Sequence, residues 1–221
     1  MISVFIISAP SGSGKSTLVQ RLLKTVPNLA FSISYTTRPP RSSEVPGEDY
    51  IFISRKEFEE RLARGEFLEH AEVFGNYYGT NREAFESATR EGKDLVLDID
   101  IQGARQLRTA IPQATTIFVL PPSKQVMEQR LRSRSQDSEE VIQRRLQGAA
   151  VEVKNYTHYD FVLINRDIEK ASARLVNIVE AERLRRARME EEVRPILESF
   201  FEQDRPDTDK QNTDNGNNKK D

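Results

Sequence analysis

Ile2-Ser3-Val4-Phe5-Ile6-Ile7-Ser8-Ala9-Pro10-Ser11-Gly12-Ser13-Gly14-Lys15-Ser16-Thr17 opens the chain after Met1, and its reading decides the fold. The apolar run is too short for a secretory leader and has no basic start, so residues 2–8 read as a buried strand. Residues 9–16 fit the pattern G-x-x-x-x-G-K-[ST], with Ala9 at the first glycine. Small residues and glycines let successive backbone N–H groups turn inward around phosphate oxygens. A helix beginning at Lys15-Ser16 adds its positive end. Lys15 then reaches the β- and γ-phosphates, and the Ser16 hydroxyl suits Mg²⁺. An ordinary glycine-rich strand–helix turn is the plainer alternative. The strand before and the helix after are the context that separates the two.

Working outward, residues 16–26 have helical spacing at Leu18, Leu22 and Leu23 and end at Pro27. Residues 29–35 alternate apolar and polar and read as a strand. Residues 37–49, with Pro39, Pro40, Pro46 and Gly47, read as an exposed loop. A short strand at 50–53, a charged helix at 55–64 and a strand at 67–74 follow, then a turn at Gly75-Asn76. Helices at 82–90, 102–110, 123–132 and 137–153 interleave with buried strands at 95–99, 116–120 and 161–164. Ser123 and Ser138 are candidate caps. Ile168, Ala171, Leu175 and Ile178 mark one face of a long helix. Pro195 is expected to break it, and Ile196, Leu197, Phe200 and Phe201 to begin a short extra helix. Residues 204–221 lack any aliphatic or aromatic side chain and read as a disordered tail.

Strands alternating with helices predict an α/β fold with a parallel sheet covered on both faces. The stretch from Leu29 to Phe74 breaks this rhythm and reads as an inserted lobe. The 221 residues carry 37% hydrophobic and 31% charged side chains, with a net charge of −2. That balance disfavours a nucleic-acid binder. The absence of cysteine removes disulfides and thiolate metal sites, and two distant histidines, His70 and His158, argue against zinc. No run reaches membrane-spanning length. The expected location is the cytoplasm, and the sequence is silent on oligomeric state.

Ser34-Tyr35-Thr36-Thr37-Arg38-Pro39-Pro40-Arg41, followed by Glu44, Gly47, Asp49 and Tyr50, offers two planar arginine forks to a phosphate. Ser34 and the Tyr50 hydroxyl are further donors. Alone, this segment reads as a proline-stiffened surface loop; beside a phosphate-binding loop it reads as a monophosphate pocket. Further on stand Glu69, Gly75-Asn76-Tyr77-Tyr78-Gly79-Thr80 and Asp98-Ile99-Asp100-Ile101-Gln102-Gly103. In order and spacing, from about Ile2 to Glu182, these segments closely resemble those of guanylate kinases, P-loop enzymes that phosphorylate GMP with ATP.

The resemblance implies a P-loop NTPase-type core at 1–31, 85–125 and 145–203, a GMP lobe at 32–84 and a lid at 126–144. It implies ATP and GMP as substrates and Mg²⁺ as cofactor. The ATP set is Ala9, Pro10, Ser11, Gly12, Ser13, Gly14, Lys15, Ser16 and Thr17, with Asn165 on the adenine side. The GMP set is Ser34, Arg38, Arg41, Tyr50, Glu69, Tyr78, Thr80, Asp98 and Asp100. Lys15, Arg41, Arg134 and Arg145 are the catalytic cations. Ser16 would hold Mg²⁺, with Asp100 acting through water. Guanine presents N1–H and an exocyclic amino group on one edge, and a carboxylate accepts both; adenine has no such pair. By resemblance Glu69 and Asp98 read the base. The residues themselves leave open which of Asp98 and Asp100 does so. Relatives carry Gly-Arg-Gly where this chain has Ser133-Arg134-Ser135, and Asn-Asp where it has Asn165-Arg166.

Three rivals are weaker. A scaffold module of the same fold would have lost the phosphate loop. A GTPase needs N-K-x-D after a buried strand, and the match here is Asn218-Lys219-Lys220-Asp221 at the chain end. A kinase for another monophosphate has no use for Glu69, Asp98 and Thr80.

Overall fold

The computed structural model describes residues 2–42, 44–73, 75–133 and 139–201. Along them run β1 (Val4–Ser8), α1 (Lys15–Thr25), β2 (Leu29–Ser32), β3 (Tyr35–Thr36), β4 (Ile51–Phe52), α2 (Arg55–Ala63), β5 (Phe67–Val73) and β6 (Asn76–Asn81). Then come α3 (Arg82–Glu91), β7 (Asp94–Asp98), α4 (Ile101–Ala110), β8 (Thr115–Leu120), α5 (Lys124–Ser133), α6 (Glu139–Glu152), β9 (Phe161–Ile164), α7 (Ile168–Arg183) and α8 (Arg186–Phe201). The chain forms two bodies, Met1–Glu182 and Arg183–Asp221.

The first body is built on a five-stranded sheet of order β2-β7-β1-β8-β9, parallel throughout. Successive strand side chains point to opposite faces, so β1 feeds two cores. Phe5 and Ile7 join Leu18, Val19 and Leu22 of α1 and Leu175 and Val179 of α7. Val4 and Ile6 join Ala88 of α3 and Ala104 and Leu107 of α4. Burial on both faces explains why these strands read as unbroken apolar runs. A separate cluster of Met127, Leu131, Ile142, Leu146 and Ala149 joins α5 to α6. Pairing of Ile7 with Asp98 sets the ends of β1 and β7 side by side, at the carboxyl edge where parallel sheets bind ligands.

A second, four-stranded sheet has the order β4-β3-β6-β5. Two expectations change here. The stretch 29–35 is two strands: β2 pairs in the parallel sheet and β3 in the second one. Period-two alternation persists across such a handover because the backbone stays extended, so periodicity cannot locate it. The turn at Gly75-Asn76 leads straight into β6, which pairs antiparallel with β5 and β3. Its sequence, Asn-Tyr-Tyr-Gly-Thr-Asn, carries little apolar alternation. Gly79 gives room to aromatic rings: a Cβ there would stand 3.0 Å from both Phe58 and Phe67.

In the second body, α8 continues through Pro195, and the break falls earlier, at Leu184 and Arg185. A proline removes one ladder bond, which a helix survives as a kink, so Pro195 does not mark the boundary. Ser123 caps α5 as expected, accepting from Val126 N–H at 3.2 Å. The Ser138 cap and the 204–221 tail lie outside the described residues. No helix among those residues is long and apolar enough to cross a membrane.

Candidate active site

The glycine-rich loop leaves β1 at the carboxyl edge and enters α1. Gly12 and Gly14 hold φ of 80° and 86°, the left-handed region that favours glycine. Ala9 does not, so alanine at the first position costs no backbone strain. The loop rests on α5 and β9. A Cβ on Gly12 would stand 3.1 Å from Met127 and Leu131, and one on Gly14 would run into the Asn165 amide. Asn165, 2% exposed, donates Nδ2 to the Ser13 carbonyl at 2.8 Å. Arg130 donates to the same carbonyl at 3.3 Å and to the Asn165 carbonyl at 3.0 Å. Asn165 therefore stands behind the loop, bracing its backbone. Arg130, which the sequence reading left without a role, braces it too.

Loop residues 9–16 line a cavity of about 220 Å³. On its other side stand Ser34, Arg38, Arg41, Tyr50, Glu69 and Tyr78, and along its floor Asp98, Asp100, Arg145 and Glu152. Most of the expected site residues thus share one cleft. Thr17, exposed on α1, is not among the residues that line it. Arg134 lies outside the described residues.

The Lys15 ammonium is ion-paired with Asp98 and donates to the Ile99 carbonyl at 3.0 Å. Asp98 ends β7, and Asp100 is already the N-cap of α4, accepting from Gln102 and Gly103 N–H at 2.6 and 3.0 Å. The expected strand 95–99 is one residue shorter at this end, so the two carboxylates, which would share a face on one continuous strand, belong to different elements.

Arg38 does not offer a free fork. Its Nη1 and Nη2 meet Glu44 at 3.0 and 2.8 Å, Nη1 also meets the Pro39 carbonyl at 2.7 Å, and Nε meets the Tyr78 hydroxyl at 3.2 Å. Glu44 further accepts Arg41 N–H at 2.8 Å and Arg41 Nη1 at 3.4 Å. Burial works against the Arg38 charge, but the hydrogen bonds it donates to Glu44 and Tyr78 outweigh it and hold the guanidinium above its ordinary range. Burial likewise opposes ionisation of Glu44; its bonds with Arg38 and with Arg41 N–H prevail and keep its carboxyl below the usual range. The signal for Glu44 was its spacing after Arg38 and Arg41. Burial, then the Asp98 charge, push the Tyr50 hydroxyl up, so it stays a donor.

Glu69 is 4% exposed on β5, and Thr80 of β6 donates to its Oε1 at 2.7 Å. Thr80 is fully buried, and its hydroxyl is committed to Glu69 rather than to the cavity. Burial pushes the Glu69 carboxyl up to about 7; the Thr80 hydrogen bond opposes this and the Asp100 charge adds to it. Glu152, at the end of α6, is raised too, by burial and then Asp100, with Lys15 opposing. It sits in a charged helical stretch, and nothing in its sequence context marked it.

The cleft thus joins a phosphate cradle, an arginine pair and a buried carboxylate. The comparisons with known proteins agree with that combination. Residues 1–182 match the family model described as guanylate kinase. The chain belongs to the guanylate kinase family. It is 53% identical over 202 residues to the guanylate kinase of Koribacter versatilis (strain Ellin345), covering 89% of this chain and 87% of that protein. It is 52% identical over 191 residues to that of Escherichia coli (strain K12), covering 86% and 92%. A crystal structure of guanylate kinase from Anaplasma phagocytophilum superposes with a TM-score of 0.75 at 36% identity, over 90% of this chain and 95% of that one.

Proposed function

We propose that the cleft transfers the γ-phosphoryl group of ATP to the phosphate of GMP, giving ADP and GDP. The observation that carries this reading is one cavity lined both by the loop that holds Lys15 and by the buried carboxylate of Glu69. Residues 9–17 would form the ATP-phosphate site, with the backbone N–H groups of the loop other than at Pro10 on the phosphate oxygens and Lys15 turning from Asp98 to the β- and γ-oxygens. Asn165 would act by bracing the loop at Ser13. Arg38, Arg41, Ser34, Tyr50 and Tyr78 would take the GMP phosphate, and Glu69 and Asp98 the guanine edge. Residues 32–84 would form the GMP lobe and 126–144 the lid, closing to exclude water.

Mg²⁺ fits this donor set. The Ser16 hydroxyl and, through water, the Asp100 carboxylate are hard oxygen donors lining the same cleft. Among the described residues no three His, Cys, Asp or Glu side chains form a cage, so ATP phosphate oxygens and water would complete the shell. Bound with ATP, the ion supplies neutralisation of charge between the β- and γ-phosphates.

In the transfer, an anionic oxygen of the GMP phosphate forms a bond to the γ-phosphorus while the bond to the β–γ bridging oxygen breaks. That oxygen leaves on ADP. The acceptor is already ionised, so no strong general base is required. Lys15, Arg41, Arg134 and Arg145 would stabilise the charge spread over the transferring group and hold donor and acceptor in line. The substrates are metabolites of the cytoplasm, and we propose that location.

The test is ADP release with ATP–Mg²⁺ and each of GMP, AMP, CMP and UMP. Turnover is expected with GMP, and Lys15→Ala should lower kcat by about 100-fold or more. Equal turnover with AMP would overturn the base assignment, and no GMP-dependent turnover in folded protein would overturn the activity.

A further inference from the structure

Gly103 has no conformational reason to be glycine. It is buried at the third position of α4, its φ lies outside the left-handed region, and its N–H donates to the Asp100 cap like that of any first-turn residue. In a helix, glycine costs roughly 0.5–1 kcal/mol relative to alanine. What its missing side chain provides is space. A Cβ at this position would stand 2.8 Å from Glu69 Cδ and closer still to Glu69 Oε2. The neighbours that would be struck are not the free end of a flexible surface chain. The Glu69 carboxylate is buried and already fixed on its other oxygen by Thr80.

The same helical face holds β5 in place. β5 is an edge strand of the second sheet, so one side of its backbone is unpaired by other strands. Gln106 of α4 clasps that side at His70, accepting His70 N–H at 3.3 Å and donating to its carbonyl at 2.6 Å. Gln102 donates to the Glu72 carbonyl at 3.3 Å. The two glutamines thus dock the β5 backbone at the residue next to Glu69 and two residues beyond it, on either side of Ala71, with Gly103 between them on the helix. The carboxylate is therefore held by Thr80 on Oε1 while Oε2 lies against the first turn of α4, where a side chain at position 103 would stand.

We propose that Gly103 is a specificity-determining positioning residue: by lacking a side chain it seats the Glu69 carboxylate where the guanine edge is read. It acts through Glu69 and touches no substrate. The inference rests on the assignment of Glu69 as a base reader, and a comparison of GMP with IMP addresses that assignment, because IMP lacks the exocyclic amino group.

The experiment is steady-state kinetics of wild type, Gly103→Ala, Glu69→Ala and the double variant, with melting temperatures of all four. Gly103→Ala should raise KM for GMP by about tenfold or more, since an ångström of misplacement is costly, and leave KM for ATP within about twofold. The GMP-over-IMP preference should fall with it. In the double variant KM for GMP should match that of Glu69→Ala, because the carboxylate that Gly103 accommodates is gone. The double variant should also melt about 2 °C above Glu69→Ala, as alanine favours the helix once the collision is removed. This last comparison applies even where Gly103→Ala alone does not fold.

An unchanged KM for GMP in folded Gly103→Ala would overturn the proposal. So would a double variant that melts below Glu69→Ala, since the added methyl would then be striking something else. Failure of the underlying assignment looks different: Glu69→Ala would itself leave KM for GMP and the GMP-over-IMP preference unchanged.

Discussion

Glu69 is a carboxylate in a place that favours its neutral form, and its consequences follow from burial. Its folded pKa, about 7, lies above the ordinary value of 4.5. The sign is therefore that of a raised group: the neutral form contributes stability fully below about pH 4.5, and that contribution is lost as pH rises through about 7. Full ionisation removes on the order of 3 kcal/mol. Without nucleotide, Glu69→Gln should gain in melting temperature relative to wild type between pH 5 and pH 8, and a constant difference would show that the carboxyl is not held in this way. Guanine reverses the preference, because two donors on the base require an ionised acceptor. The kcat/KM for GMP should accordingly rise with pH towards a plateau with a midpoint near 7. That limb should be absent from Glu69→Gln at its lower activity, since kcat/KM reports groups of the free enzyme. Its partners show how much of this was written locally. The hydroxyl of Thr80 belongs to the adjacent strand, and the space beside Glu69 belongs to a glycine 34 residues later; neither is visible as a property of Glu69 in sequence.

At the scale of elements, the parallel core was legible because its three inner strands, β7, β1 and β8, are buried on both faces. The apolar runs at 4–7, 95–97 and 117–119 could hardly be anything but interior strands. The second sheet was half legible. Its strands are short, β3 and β4 have two residues each, and β6 is held by pairing and aromatic packing rather than by its own apolar pattern. The glycine-rich loop was legible in full, since its positive-φ glycines serve the loop itself. Arg130 and Asn165 were not, because they act on that loop from elements more than a hundred residues away in sequence. The role of Gly79 gives a prediction at this scale. With Phe58 and Phe67 stacked at 4.4 Å between centroids against it, an added methyl must displace a ring or bend β6. Gly79→Ala should destabilise the protein by about 1–3 kcal/mol, read in urea unfolding at constant m-value. It should weaken GMP more than ATP, because β6 also carries Tyr78 and Thr80. A neutral substitution would mean that the rings yield freely.

For the molecule as a whole, the family match and the first body end at the same residue, 182, so the site and its scaffold lie within one body. Within it the phosphate loop belongs to the parallel sheet, while Glu69 and Tyr78 belong to the second sheet and Arg38 and Arg41 to the loop between β3 and β4. The cations of the cleft are already partnered by acids of the same chain, Lys15 by Asp98 and both arginines by Glu44. Each nucleotide phosphate therefore exchanges one anionic partner for another, and binding energy comes from the exchange rather than from bare charge. Because the two exchanges occur on different elements, they should be separable by mutation. At about 100 times its dissociation constant, either nucleotide alone should stabilise the fold by about 2.7 kcal/mol, a rise in melting temperature of roughly 5–10 °C. Lys15→Ala should abolish the rise with ATP–Mg²⁺ and retain the rise with GMP. Arg38→Ala should do the reverse, at nucleotide concentrations held constant across variants. If Lys15→Ala abolished both rises, GMP binding would depend on the loop directly, and the assignment of the monophosphate to the second sheet and its arginine loop would be wrong.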